Sequence, residues 1–183
     1  MFKPLFTGRL LRLAAAQPAD QEAFATWSQD EDYMRLLDDD PVRPLAPSAF
    51  GYFGESKSGD YYFHLRTLAD DQLIGFVVLF NFKWSSQAAQ LAIGIGRAEY
   101  RGKGYGHDAL KLILNYAFSE LNLNRVGLTV LSYNISAIKA YERVGFVREG
   151  VLRQAVRRGG VYHDMLQYGI LRVEWEAGQS AAG

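Results

Sequence analysis

The sequence predicts one α/β (α+β) domain: a single mixed, mostly antiparallel sheet of about seven strands flanked by helices. Three observations carry that expectation. Apolar residues recur at every second position in some segments and at every third and fourth in others. The resulting order is strand, helix, helix, a strand hairpin, then strand–helix–strand–helix–strand–strand, which suits one sheet rather than a doubly wound one. A chain of 183 residues, 49% hydrophobic, suits one domain with one core. Its expected extent is 1–175, with 176–183 as a flexible tail.

Arg9-Leu10-Leu11-Arg12-Leu13 reads as the first strand. Gln17-Pro18-Ala19-Asp20 is a turn with Asp20 as N-cap of a helix that carries Ala23, Phe24 and Trp27. From Asp30 to Asp40 six carboxylates meet one cation, Arg35, with Tyr33, Met34, Leu36 and Leu37 among them. Pro41 to Asp60, rich in Pro, Gly and Ser, is loop with at most one short helix around Ser48 to Phe53. Tyr61 to Thr67 and Leu73 to Phe80 form a hairpin across Ala69-Asp70-Asp71-Gln72. Gln87 to Ile95 is another strand. Leu110, Ile113, Leu114, Ala117, Phe118 and Leu121 share one helical face, so His107 to Leu121 is an amphipathic helix. Val126, Leu128 and Val130 alternate in a strand over Arg125 to Leu131. Ile135 to Val144 is a short helix, and Gly145 takes the left-handed position that ends it. Phe146 to Leu152 and Val161 to Leu171 complete the strands, and the small, polar residues from Glu176 onward should fray.

Composition narrows the function. Twenty basic residues balance twenty acidic ones, which argues against a polycationic nucleic-acid binder. With no cysteine there is no disulfide, no thiolate zinc site and no cysteine nucleophile. No His/Asp/Glu spacing suggests a metal site. No apolar run approaches the ~20 residues of a membrane span, and Met1-Phe2-Lys3-Pro4 does not open a signal peptide. The expected setting is the cytoplasm.

The most informative stretch is Arg97-Ala98-Glu99-Tyr100-Arg101-Gly102-Lys103-Gly104-Tyr105-Gly106-His107, between a strand and an amphipathic helix. Alternate glycines open backbone conformations closed to other residues and allow close approach to a ligand. Turn amides and the helix N-terminus together make a seat for phosphate or pyrophosphate, with Arg101 and Lys103 adding cationic reach. A Walker A loop fails, because Gly104-Tyr105 breaks it and no Ser or Thr follows to hold magnesium. A dinucleotide fingerprint fails too, since its third glycine would fall on His107. What remains is Arg-x-x-Gly-x-Gly at Arg101, Gly104 and Gly106, which an ordinary glycine-rich turn would also satisfy.

A second constellation follows the next strand: Asn134-Ile135-Ser136-Ala137-Ile138-Lys139-Ala140-Tyr141-Glu142-Arg143-Val144-Gly145-Phe146. Asn134 can cap the helix, and Tyr141 falls on the face of Ala137 and Ile138. The two motifs together resemble the GCN5-related N-acetyltransferases over roughly residues 9 to 175. Gly159-Gly160-Val161-Tyr162-His163-Asp164 and the ending Leu171 to Trp175 resemble the branch of ribosomal-protein N-terminal and spermidine acetyltransferases.

The resemblance implies an acyl-CoA N-acyltransferase fold and acetyl-CoA as co-substrate, with no metal. Cofactor contacts would come from Ile93, Gly94 and Ile95, from Arg101, Gly102, Lys103, Gly104, Tyr105 and Gly106, and from Asn134, Ser136 and Ala137. Pyrophosphate would sit on the 101–106 turn, and the pantetheine arm beside the strand ending at Ile95, where two strands splay. The partner would be an amine acceptor, a peptide N-terminus first and a polyamine or other small amine second. Neither nucleic acid nor membrane is implied, and a homodimer is compatible. A catalytically idle CoA-binding relative is the alternative.

Acyl transfer to an amine needs a neutral amine, a stabilised oxyanion and a proton for the departing thiolate. Backbone amides near Ile93 to Ile95 would polarise the thioester. The resemblance makes Tyr141 the general acid, although alone it reads as a core aromatic. Many relatives carry Glu on the strand before the glycine turn; Gln90 stands there instead, and an amide cannot accept a proton at neutral pH. A water relay, His163, Asp164, Ser136 or the acids between 30 and 40 remain as candidates. Those acids border the acceptor side in the resembled fold, though a solvated helix face would look the same.

Overall fold

The computed structural model describes residues 4–50 and 59–181. Seven strands form one sheet in the order β1-β2-β3-β4-β5-β7-β6. They are β1 (Leu11–Ala14), β2 (Tyr61–Thr67), β3 (Leu73–Lys83), β4 (Ala88–Ile95), β5 (Arg125–Leu131), β6 (Val147–Arg158) and β7 (Val161–Leu171). The helices are α1 (Asp20–Trp27), α2 (Glu31–Leu37), α3 (Tyr105–Asn115), α4 (Ile135–Arg143) and α5 (Arg172–Ala181). Every strand pair is antiparallel except β4–β5. The expected mixed, mostly antiparallel sheet is therefore present.

Strand alternation sends apolar residues to both faces of the sheet. Val77, Leu79 and Leu91 join Leu110, Ile113 and Phe118 of the α3 segment in the larger core. Phe76 and Leu73 join Phe24, Trp27 and Tyr33 of α1 and α2 in a smaller one. The sheet is thus covered on both sides, as a mixed sheet with a parallel pair should be. No helix among the described residues is long and apolar enough to cross a membrane.

Several boundaries differ from the sequence reading, each for a local reason. β1 starts at Leu11 rather than Arg9. The Asp108 carboxylate of α3 accepts the N–H groups of Arg9 (3.1 Å), Leu10 (2.8 Å) and Leu11 (3.2 Å), which bends the chain into the strand. Asp20 does not cap α1; Ala19 holds that position. The Asp20 carboxylate instead bonds buried His64 (2.6 Å) and the Arg66 guanidinium on β2, tying α1 to the sheet. α3 starts at Tyr105, two residues before the expected His107. It ends in a widened turn over Tyr116–Glu120, with the Leu121 N–H reaching the Tyr116 carbonyl. β6 runs on to Arg158 through a bulge between Leu152 and Val156. The short helix expected near Ser48 is a 3₁₀ turn over Pro47–Phe50, and residues 51–53 lie outside the described residues.

The expected tail is also partly helical. α5 extends to Ala181, six residues beyond the boundary drawn at 175. Its start is fixed by Glu174, which accepts the Leu171 N–H (2.8 Å), and by Trp175, whose ring lies 5.3 Å from that of Phe118. A small, polar composition did not reveal this anchor.

Asp108 gives the clearest stability test. Asp108→Ala leaves three backbone donors without their acceptor, one of them on Leu11, which has no exposed surface. The expected loss is about 2–3 kcal/mol, read as a Tm lower by roughly 5–10 °C for a chain of this size.

Candidate active site

The parallel ladder between β4 and β5 is short. Ala88, Ala89 and Gln90 pair with Arg125, Val126 and Gly127, and pairing then stops although both strands continue. The β5-facing backbone of Leu91–Ile95 therefore has no ladder partner. A cavity of about 400 Å³ opens in this gap. Its walls include Leu91, Ala92, Ile93, Gly94 and Ile95 of β4 and Thr129, Val130 and Leu131 of β5.

The cavity passes through the sheet. Ile93 and Ile95 pack towards the α3 core, whereas a side chain at Gly94 would collide with Tyr33, Leu37 and Phe76 on the other face. At the α3 face the lining comes from Gly102, Gly106, Leu110, Asn134, Ser136, Ala137, Ala140 and Tyr141. At the α2 face it comes from Tyr33, Leu36, Leu37, Asp38, Asp39, Phe80 and Gln90.

The glycine turn has the expected geometry. Gly102 (φ 71°) and Gly104 (φ 91°) are left-handed, and Gly104 caps α3. The first helical bond runs from Asp108 N–H to the Gly104 carbonyl at 3.0 Å. The N–H groups of Tyr105, Gly106 and His107 thus point from the helix end without intrahelical partners. A Cβ at Gly102 or Gly106 would meet nothing within 4 Å, so the approach is open. Lys103 is exposed, and Tyr105 packs edge-on against Tyr100 at 5.2 Å; with Gly104 they lie on the turn outside the cavity wall.

The Arg101 side chain is engaged within the protein. Its guanidinium donates to the carbonyls of Ile95 (2.9 Å) and Gly96 (2.6 Å), pairs with Asp30 at 3.4 Å and lies 4.8 Å over the Tyr33 ring. It fastens the end of β4 to α2, and the same residue lines the cavity. Asn134 caps α4 through the Ala137 N–H (3.2 Å), accepts the Ser136 hydroxyl (3.1 Å) and donates to the Leu36 carbonyl (3.0 Å). Beside it the Tyr133 hydroxyl donates to the Arg35 carbonyl (2.7 Å), so two residues after β5 bridge to α2. Tyr141 is 7% exposed, has no hydrogen-bond partner for its hydroxyl among the described residues, and burial pushes its pKa up to about 12. The phenol is protonated at neutral pH.

Residues 10–147 match the family model described as an acetyltransferase (GNAT) domain. This chain belongs to the GNAT acetyltransferase family. It is 28% identical to the SPbeta prophage-derived uncharacterized N-acetyltransferase YokL of Bacillus subtilis, over 93% of this chain and 95% of that protein. It is 35% identical to the putative ribosomal N-acetyltransferase YdaF of B. subtilis, over 60% of this chain and 59% of that protein. Among solved structures, the spermidine N-acetyltransferase from Vibrio cholerae in complex with CoA and spermine superposes with a TM-score of 0.80 at 26% identity, covering 91% of this chain and 98% of that one.

In this GNAT domain the candidates for a base separate by position. Gln90 lines the cavity, its amide lying over Gly127, where a Cβ would come 2.9 Å from Nε2. His163 packs edge-on against Tyr133 at 4.7 Å, Asp164 accepts the Gln154 N–H (2.8 Å), and neither lines the cavity. The Ser136 hydroxyl is engaged by Asn134. The acids between 30 and 40 do not act as one cluster. Asp30 caps α2 through the Tyr33 N–H (3.0 Å) and meets Arg101, and Glu31 pairs with Arg35 (3.0 Å). Only Asp38 and Asp39 line the cavity. Burial pushes the Asp38 carboxyl above the usual carboxylate range, and the neighbouring Asp40 and Asp39 add to this against the Asp40 N–H and Arg158. Arg158, at the tip of the β6–β7 hairpin, donates to the carbonyls of Asp38 (3.0 Å) and Asp40 (2.8 Å). Sequence reasoning missed Tyr33, Tyr133 and Arg158, which carry no motif.

Proposed function

We propose that this protein moves the acetyl group of acetyl-CoA directly to a primary amine within a ternary complex, with Tyr141 as general acid. The observation that carries the reading is a single cavity that crosses the sheet, with an anion seat at one mouth, carboxylates at the other and a protonated tyrosine on its wall. Open space at Gly102 and Gly106 and the free amides at the start of α3 suit a pyrophosphate. The unpaired edge of Leu91–Ile95 suits an extended, amide-bearing arm that adds to the sheet as a strand would. The V. cholerae neighbour, which binds CoA, supports this use of the fold.

The chain's own groups then have defined tasks. The β4 backbone holds the thioester and aligns its carbonyl, and the two mouths bring donor and acceptor together, which supplies much of the rate. The departing sulfur takes the proton of the Tyr141 hydroxyl. Direct attack of the amine on the thioester needs no acyl-enzyme, and with no cysteine in the chain a thiol-linked one is not available.

An N-terminal amine of a peptide or protein is the first acceptor, in keeping with the likeness to the putative ribosomal acetyltransferase. A polyamine is the second, favoured by the spermine-bound neighbour and by the two acids at the acceptor mouth. Thiol release from acetyl-CoA across a panel of peptides, polyamines and small amines tests the reading. Release with at least one amine is expected, and binding of CoA without release from any amine would make the protein an idle relative.

Two variants test the parts. Gly106→Asp puts a carboxylate into the open seat without left-handed strain, and an acid in a first helical turn favours the helix. CoA Kd measured by calorimetry should rise at least about tenfold, equivalent to ~1.4 kcal/mol, with circular dichroism unchanged. Tyr141→Phe should retain CoA affinity and lower kcat by about 10²-fold in steady-state assays, the scale of a lost general acid.

A further inference from the structure

We propose that Asp38 is the catalytic base that deprotonates the incoming ammonium, held in place by Arg158. This rests on the amine-acetylating reading above and names the group that Gln90 cannot supply.

Four observations converge on Asp38. Gln90 occupies the acceptor face of the cavity and has no proton affinity at neutral pH. His163, Asp164 and Ser136 are outside the cavity or already bonded. Asp38 follows the last residue of α2, lines the cavity and uses one oxygen, Oδ1, to accept the Asp40 N–H at 2.9 Å. No described side chain occupies the other oxygen. Beside it, Tyr33 lines the same cavity, is only 7% exposed and has a hydroxyl with no partner. A buried hydroxyl left unpaired is costly, and a bound polar group at this mouth would satisfy it. Asp38 and Tyr33 are close enough to interact electrostatically.

Arg158 sets the position. Its guanidinium reaches from the tip of the β6–β7 hairpin to the carbonyls of Asp38 and Asp40, so it fixes the loop backbone without forming a carboxylate pair. A direct ion pair would hold the carboxylate ionised and weaken it as a base. The groups facing Asp38 are Asp39 and Asp40 on its own loop, Arg158 from β6 and Tyr33 from α2. Burial comes first among the influences and raises its proton affinity.

The step balances. The ammonium gives one proton to the Asp38 carboxylate, which frees the nitrogen lone pair. That pair forms the C–N bond at the thioester carbonyl carbon as the C–S bond breaks. Sulfur leaves with the C–S electrons and takes the Tyr141 proton; the second proton of the nitrogen returns to Tyr141 through water, and Asp38 releases its proton to solvent. One ammonium and one thioester become one amide, one thiol and one proton.

Asp38→Asn keeps the acceptor for the Asp40 N–H, so the loop should stay in place. Three acceptors separate the roles: spermine, an alanyl tripeptide, and methoxyamine, which is neutral at pH 7. An ordinary amine with a pKa near 10 is only about a thousandth neutral at that pH. The variant should bind CoA as the parent does and lose about 10²-fold in kcat/KM with spermine at pH 7, and at most about tenfold with the tripeptide, whose α-amino group, with a pKa near 8, is already about a tenth neutral there. It should lose less than about fivefold with methoxyamine, and regain most activity with spermine or the tripeptide near pH 9.5, where the neutral amine is abundant. In the parent, kcat/KM should fall as pH drops through a limb above the ordinary carboxylate value of about 4, and the variant should lack that limb. Equal losses with all three acceptors, a rise in KM alone, or an unchanged acidic limb would each overturn the assignment. A parent inert towards every amine would overturn the proposed function itself, whereas an active parent with an undiminished variant overturns this inference alone.

Discussion

The site depends on where the β4–β5 ladder stops. β4 is held by β3 from Ile95 back to Ala88, and β5 is held by β7 along its whole length, Arg125 to Leu131. Each strand is therefore anchored outward, and the two half-sheets meet at a parallel contact of three residue pairs. Parallel pairing is the slightly weaker kind per residue. The backbone groups freed beyond Gln90 lose their protein partners, and unpaired backbone inside a fold must be satisfied by water or a ligand. A sheet closed to the end of both strands would have no route from one face to the other.

An opening of this kind has to be braced, and the braces share one design. Arg101 grips the Ile95 and Gly96 carbonyls, Tyr133 and Asn134 grip those of Arg35 and Leu36, and Arg158 grips those of Asp38 and Asp40. In each case a side-chain donor holds a main-chain acceptor at the end of an element, where carbonyls lack ladder or helix partners. Three of these four residues reach α2 or the loop after it, and Arg101 touches α2's cap through Asp30. α2 is only seven residues long and contributes one buried side chain, Tyr33. Its placement over that mouth of the cavity therefore owes more to these long-range hydrogen bonds than to apolar packing.

Much of this was legible in the sequence, and the unread part has a physical reason. Period-two and period-3.6 patterns located all seven strands and the α3 and α4 segments. Gly102 and Gly104 marked a turn that does need left-handed backbone. These are local signals, carried by a residue and its chain neighbours. Asp108 carries no local signal of its role, because its partners lie 97 to 99 residues away in sequence. Arg101 was read as a free cation because its partners, the carbonyls of Ile95 and Gly96, belong to backbone that any residue carries. The acids between 30 and 40 looked equivalent, and only the fold distinguishes Asp30 at a cap, Glu31 in a helical pair and Asp38 in the cavity wall.

The two mouths of the cavity differ in kind, and that difference explains which one the sequence disclosed. The α3 mouth is built from backbone: glycines, helix-end amides and an unpaired strand edge. It demands particular residue types at fixed spacing, so it leaves a motif. The α2 mouth is built from side chains on a short helix and two loops, and a carboxylate can enter it from more than one position. Gln90 and Asp38 line the same wall although 52 positions separate them. On the proposed reading, a fold that holds its donor site in main chain can shift its acceptor chemistry from strand to loop without disturbing the sheet. Partial desolvation at the cavity wall raises the proton affinity of the carboxyl at that position, as burial raises that of Tyr141 on the opposite face. In the proposed mechanism environment assigns base and acid, and the splayed strands keep both within one cavity.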